Sequence, residues 1–101
     1  MIIYNVTCKV GNEISEEWLL WMKEEHIPEV IATGLFTHHR ILRLLDMDES
    51  DGITFAIQYF CQNRQAYDLY IELHAGELRE KVLIKWGNGV VAFRTLMEVI
   101  N

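Results

Sequence analysis

Several residue types are scarce in this chain of 101 residues, and each scarcity argues against a class of protein. One proline and six glycines leave no room for a flexible linker or a low-complexity tract. Nine basic residues against fifteen acidic ones give a formal net charge of −6. No basic cluster reverses that sign locally, so we expect no nucleic-acid partner. No apolar run approaches the roughly 20 residues of a membrane-spanning helix, so we expect no membrane partner either.

Cysteine and serine are also scarce. The two cysteines, Cys8 and Cys61, each lie in an apolar segment and are expected to be buried free thiols rather than a disulfide or a nucleophile. The first residues resemble a strand and not a secretory signal, so we expect a cytoplasmic protein. Ser15 and Ser50, the two serines, have no nearby histidine or glycine-rich elbow, which argues against a serine hydrolase.

Half of the residues are hydrophobic, which is enough for one folded domain over residues 1–101. Alternation of apolar residues predicts four strands, at residues 1–10, 36–47, 53–61 and 90–100. The polar run before the third strand closes on Asp-Gly, which is typical of a hairpin.

Apolar residues at helical spacing predict a helical segment after each of the first and third strands. Pro28 is expected to interrupt the first segment, and Gly34 is expected to end it. Asn63 is the expected cap of the second segment, and Gly76 is a point where that segment could bend or break. Its expected buried face consists of Ala66, Leu69, Tyr70 and Leu73.

The order strand–helix–strand–strand–helix–strand predicts a ferredoxin-like βαββαβ fold of the α+β class. Such a fold has a four-stranded antiparallel sheet with both helical segments on one face. The other face is expected to carry Asn5 and Gln58 among several apolar side chains. That face would expose more apolar surface to water than is usual for a monomer. We therefore expect a twofold homodimer that packs sheet against sheet; a monomer with an amphipathic open face is the other possibility.

Several runs resemble a family of short bacterial proteins, among them MIIYNVT at 1–7, EWLLWMK at 17–23 and HIPEVIATG at 26–34. Residues 52–59, 74–75 and 92–95 are similar to it as well. The family is the domain-of-unknown-function family four-two-eight-six, and the resemblance covers essentially the whole chain without implying an activity. More loosely, the topology is similar to the dimeric α/β-barrel superfamily. The similarity implies the fold and the dimer. Because that superfamily includes enzymes as different as antibiotic-biosynthesis-type monooxygenases and haem-degrading enzymes, it does not imply one reaction.

The four histidines, His26, His38, His39 and His74, do not form a metal-binding pattern, and we expect no metal and no cofactor. The neighbours His38 and His39 point to opposite faces of their strand. In haem-degrading relatives, an Asn on the first strand joins a Trp and a His on the second helix. Asn5 and His74 match that pattern, but no Trp lies between Asn63 and His74, so the haem site is incomplete.

The candidate ligand-binding residues are polar side chains that a cavity would have to use: Asn5, Gln58, Tyr70, His74 and Arg94. Asn5, Thr7, Gln58 and Arg94 (or Arg43) are expected to converge on the open sheet face, where they either hold a small polar or aromatic ligand or bond to one another across the dimer.

The sequence leaves open whether the protein is an enzyme, and no catalytic residue is identified. The leading hypothesis is a homodimeric binding or regulatory module with an unknown small ligand. The alternative is a cofactor-independent monooxygenase-like or haem-binding enzyme that works in a cavity between helices and sheet. A purely structural or protein-interaction role is the third hypothesis.

Overall fold

A computed structural model describes residues 1–101. The strands are β1 (Ile2–Val10), β2 (His38–Arg43), β3 (Ile53–Cys61) and β4 (Val90–Glu98), and the helices are α1 (Ser15–Trp21), α2 (Ile27–Ala32), α3 (Arg64–Tyr70) and α4 (Gly76–Trp86). A π-helical turn joins α1 to α2 and another joins α3 to α4, so the chain has two long helical segments. The predicted α+β fold with βαββαβ order is confirmed.

The four strands form one antiparallel sheet in the order β2-β3-β1-β4. The register pairs Tyr4 with Tyr59 on one side and with Leu96 on the other. Because partners in an antiparallel sheet share a face, even-numbered residues of β1 and β4 lie together with odd-numbered residues of β3. This is the face that the helices cover.

In each helical segment a π turn lies just before a residue that disfavours helix, Pro28 in the first and Gly76 in the second. In an α-helix the ring of Pro28 would collide with the carbonyl of Glu24, and the wider turn at Met22–His26 comes directly before it. Pro28 therefore occupies the first turn of α2 and does not end the segment. Gly34, with φ of 79°, follows the end of α2 as predicted. The second π turn, Ile71–Ala75, directly precedes Gly76, and the helix continues through it.

The expected buried face of the second helical segment was partly wrong. Tyr70 is buried, but Leu73 is 61% exposed and Leu69 is exposed too. Ala66 is partly buried and packs against the core, as predicted. The π turn at Ile71–Ala75 adds a residue to one helical turn, which rotates Leu73 relative to a regular helix. The inward side chains include Ala66, Tyr67, Tyr70, Ala75 and Leu78.

The core lies between the helices and the sheet and is rich in aromatic rings. Trp18 is 1% exposed and stacks on Phe55 with ring centroids 5.4 Å apart. Tyr4 is surrounded by four other aromatic rings with centroids within 6.2 Å: Phe36, Tyr59, Tyr67 and Tyr70. Cys8 and Cys61 are buried free thiols, as predicted.

The opposite face of the sheet has no helix over it. Its apolar side chains include Phe93 at 62% and Val91 at 66% exposed, together with Leu42. Phe60 is partly covered by His38, whose ring stacks on it with centroids 4.3 Å apart, and by the guanidinium of Arg40. None of the helices is long and apolar enough to span a bilayer.

Candidate functional site

A cavity of about 50 Å³ lies between the helical layer and the sheet. Eleven of its fourteen lining residues are hydrophobic in type. The lining residues that lie on β4 are partly or largely exposed, so the cavity opens at the β4 edge of the sheet. The lining residues are Tyr4, Val6, Cys8, Trp18, Met22, His26, Ile57, Tyr59, Tyr70, Arg79, Val82, Val90, Ala92 and Arg94.

Tyr4 is the polar centre of this cavity. Arg79, on α4, donates a hydrogen bond from Nη2 to Tyr4 Oη at 3.0 Å, and Arg94, on β4, donates one from Nε at 3.1 Å. Arg94 pairs in register with Val6, which places it on the helix-covered face, diagonally adjacent to Tyr4. Two guanidinium groups thus converge on one buried phenol oxygen.

Three polar atoms of the lining residues are buried without a hydrogen-bond partner. They are the indole nitrogen of Trp18, Nδ1 of His26 and Nε of Arg79. Leaving a buried donor or acceptor unmatched costs about 1–3 kcal/mol, so buried polar atoms nearly always bond to protein, ordered water or a ligand. Three of the four such side-chain atoms in the chain therefore belong to residues that line this one cavity.

Burial shifts the pKa values of Cys8, Tyr70 and His26, which line the cavity, toward the neutral form of each side chain. It raises the pKa of the Cys8 thiol to about 11, against a smaller opposing effect of Arg94. Burial also raises the pKa of Tyr70, and again the charges of Arg79 and Arg94 partly oppose it. The pKa of His26 is lowered to about 4, mainly by burial. A neutral imidazole and a neutral thiol therefore face the cavity.

The sequence-predicted site residues are divided among three places. Tyr70 and Arg94 line the cavity. Asn5 and Gln58 face each other on the open side of the sheet, where the amide of Asn5 donates to Thr7 Oγ1 at 3.0 Å. The expectation that Arg94 or Arg43 joins Asn5 there is wrong. Both arginines lie on the other face, because Arg94 pairs with Val6 and Arg43 with Phe55.

A polar row crosses the open face at the level of Asn5. The register places Arg40, Gln58, Asn5 and Thr95 side by side, one from each strand. Rows containing Phe93 and Phe60 lie on either side of it. The open face is therefore mixed, because Thr7, Lys9, His38 and Thr54 also lie on it, and it contains no residue that lines the cavity.

His74 lies in a separate groove on the outer surface of the helices, with Glu29, Thr33, Glu77 and Lys81. Lys81 Nζ and Glu29 Oε2 form an ion pair of 2.7 Å across this groove. No group of three or more His, Cys, Asp or Glu side chains is arranged to hold a metal ion. Asn5 and His74 lie on opposite sides of the sheet, so the two residues that matched the haem-degrading pattern do not form one site, and these residues do not fit a haem group.

Tyr4, Trp18, His26 and Arg79 were missed as site residues by sequence reasoning. Arg79 had a detectable signal, because it falls one position after Leu78 and three before Val82 in the inward stripe of α4. A charged residue at an inward helical position is a sign of a polar interior. Tyr4 and Trp18 had no such signal, since aromatic residues on an apolar face are typical of ordinary core packing.

Comparison with solved structures finds the same fold in proteins of distant sequence. An EthD family protein from Bacillus halodurans is 12% identical, with a TM-score of 0.67 over 99% of this chain and 100% of that one. A dimeric ferredoxin-like protein from an uncultured marine organism is 10% identical, with a TM-score of 0.69 over 99% and 95%. A candidate antibiotic biosynthesis monooxygenase from Deinococcus radiodurans is 19% identical, with a TM-score of 0.60 over 100% and 94%.

These similarities establish the ferredoxin-like fold and nothing about chemistry. No curated protein matches the sequence. One family model matches residues 1–100, which is nearly the entire chain. The chain therefore belongs to the family described as domain of unknown function DUF4286.

Proposed function

We propose that the protein is a homodimeric binding module that holds one small molecule per subunit in the cavity between helices and sheet. The observation that carries this proposal is the set of buried polar atoms without partners around the cavity, on Trp18, His26 and Arg79. Sites for small molecules are mostly apolar with a few converging polar groups, and this lining has that composition.

A binding role is better supported than an enzymatic one. Nucleophilic or general-base catalysis needs a side chain that can ionise or accept a proton near neutral pH. The Cys8 thiol, with its pKa near 11, and His26, with its pKa near 4, are both poorly suited to that task. The monooxygenase-like alternative is supported only by the fold, which many proteins of different function share.

The dimer is supported by the open sheet face. Two large apolar side chains on it, Phe93 and Val91, are more than half exposed in the single chain, and Leu42 is 40% exposed. Exposed apolar side chains that share one face often mark an interface. A twofold axis through the face would bring the two copies together by the same surface. One neighbour of the same fold is described as dimeric. Because the cavity lies on the other side of the sheet, each subunit would keep its own site.

Native mass spectrometry of the purified protein, together with a thermal-shift screen of small metabolites, tests ligand binding. We expect a bound mass or a compound that raises the unfolding midpoint. Ala92→Leu, which fills the cavity from β4, should abolish the effect. Ala32→Leu makes the same change on the surface of α2 and should preserve it. A protein without bound mass, whose midpoint no compound raises, would show that the cavity holds only water.

A further inference from the structure

The polar atoms around Tyr4 present donors to the cavity. A phenol oxygen accepts about two hydrogen bonds, and Arg79 and Arg94 already supply two to Tyr4. The Tyr4 hydroxyl proton has no acceptor among the protein's hydrogen bonds, and the N–H groups at Arg79 Nε and Trp18 Nε1 are buried without one. Tyr4 and the two guanidinium groups can be completed only by an occupant that accepts hydrogen bonds, whereas Nδ1 of the neutral His26 can donate or accept.

The charge around the cavity also favours an occupant that accepts hydrogen bonds. No aspartate or glutamate is among the lining residues. The four ion pairs of the chain use Lys9, Arg43, Arg64 and Lys81, so Arg79 and Arg94 remain without a carboxylate. Lys23, Arg40 and Lys85 have no ion pair either, but only Arg79 and Arg94 converge on one buried hydroxyl group. Their effect on Cys8 and Tyr70 shows that the positive potential extends into the cavity.

The size of the cavity limits the occupant. A water molecule needs roughly 10–15 Å³ of this kind of volume, so 50 Å³ accommodates about three to five non-hydrogen atoms. A guanidinium group matches the planar, two-oxygen geometry of a carboxylate. The remaining walls, which include Val6, Val82 and Ala92, suit a short alkyl group.

Resting on the proposed function, we infer that the ligand is a short-chain monocarboxylate whose carboxylate is bound by Arg79, Arg94 and the Tyr4 hydroxyl. Its alkyl end packs against the aliphatic wall at the β4 side of the cavity. The affinity is modest, because a ligand of about four non-hydrogen atoms gains little binding free energy in total. Even at the highest binding free energy known per non-hydrogen atom, a ligand of this size reaches a Kd of roughly tens of micromolar.

An NMR titration of the whole protein tests this inference. Acetate and propionate are compared with acetamide and propionamide at constant ionic strength, and the indole N–H signals and the arginine Nε–H signals are followed. We expect the acids to shift the Trp18 and Arg79 signals in a saturable way and the amides to bind at least tenfold more weakly.

Arg94→Met is the principal variant, because Arg94 is exposed and its loss leaves the core intact. We expect it to weaken carboxylate binding at least tenfold. Arg64→Met removes the same charge from the exposed surface of α3, where Arg64 pairs with Asp68, and should leave binding unchanged. Equal weakening by both variants would reduce the effect to general electrostatic attraction and overturn the inference.

The failure of this inference is distinguishable from the failure of the proposed function. Equal binding of the amides and the acids would overturn the carboxylate ligand but leave ligand binding intact. The same conclusion would follow if neither shifts the cavity signals while another compound raises the unfolding midpoint in the thermal-shift screen. If neither shifts the cavity signals and no compound raises that midpoint, both fail.

Discussion

Arg94 Nε donates a hydrogen bond of 3.1 Å to Tyr4 Oη, which joins two residues that are 90 positions apart in sequence. The contact exists because β4 lies beside β1 in the sheet, so the last strand brings its arginine to the first. It connects an exposed side chain at the β4 edge to a buried tyrosine that four aromatic rings surround. The polar part of the cavity is thus built by the topology of the sheet.

Tyr4→Phe should destabilise the protein by about 1–2 kcal/mol. The substitution removes the acceptor of two charged donors, and hydrogen bonds to charged groups contribute about 1.5–3 kcal/mol each; exposed Arg94 regains part of this from water. Urea unfolding monitored by tryptophan fluorescence measures the change. The control is Tyr67→Phe, because the Tyr67 ring also packs on Tyr4 while its hydroxyl group makes no hydrogen bond. A loss of equal size in both variants would show that the hydroxyl bonds of Tyr4 contribute nothing.

The sequence predicted the topology but could not predict this contact. Period-two alternation and turn residues identify strands locally, and the four of them admit few arrangements. The face on which Arg94 lies depends on the parity of β4, and both of its faces are apolar: Val90, Ala92 and Leu96 on one, Val91, Phe93 and Met97 on the other. The hydrophobic pattern that usually fixes strand register therefore did not show which face of β4 turns toward the helices.

The exposed Leu73 of the second helical segment was unpredictable for a different physical reason. It fits an inward stripe if the helix is regular. The π turn at Ile71–Ala75 changes the number of residues per turn at this point, whereas Leu69 lies in α3, before that turn, and has no such explanation. The start of this segment was easier to predict, because asparagine is a common N-cap residue. Asn63 Oδ1 accepts a hydrogen bond from the Ala66 amide at 2.9 Å, which confirms that role.

Stability should fall as the pH is lowered, and His26 should account for part of the loss. Its pKa is about 4 in the folded protein, against an ordinary value of 6.5. Above pH 6.5 the imidazole is neutral in both states and contributes no pH dependence. Between pH 6.5 and pH 4 the unfolded chain binds a proton that the folded chain does not, so the free energy of unfolding decreases by up to about 3 kcal/mol.

Urea titrations at pH 7 and at pH 4.5 measure this dependence. His26→Gln should unfold more easily than the wild type at pH 7, because it loses the stacking of the imidazole on Trp21, but its stability should fall less between the two pH values. His39→Gln, at an exposed position of β2, serves as the control and should keep the wild-type dependence. An unchanged dependence in His26→Gln would assign the acid sensitivity to other groups.

Two glycines should respond oppositely to replacement by alanine. Gly76 has helical angles, φ of −57° and ψ of −50°, and no atom lies within 4 Å of the position of an added Cβ. Gly76→Ala should therefore stabilise the protein by about 0.5–1 kcal/mol. Gly87 has φ of 53° and ψ of −127°, which alanine adopts only with strain, so Gly87→Ala should cost about 1–3 kcal/mol. Thermal unfolding of both variants checks the signs, and a gain in Gly87→Ala would contradict the backbone argument.

The proposed dimer should dissociate when a charge is placed on the open sheet face. Phe93→Asp replaces an apolar side chain of β4 with a carboxylate that must lose its water if the two sheets pack together. We expect the mass in light scattering at micromolar concentration to fall from twice 11.9 kDa to 11.9 kDa. Leu73→Asp makes a comparable change at a position of similar exposure on the helical layer, and this variant should remain a dimer. Dissociation of the Leu73 variant instead would place the interface on the helices, and the exposed row around Phe93 would then need another partner.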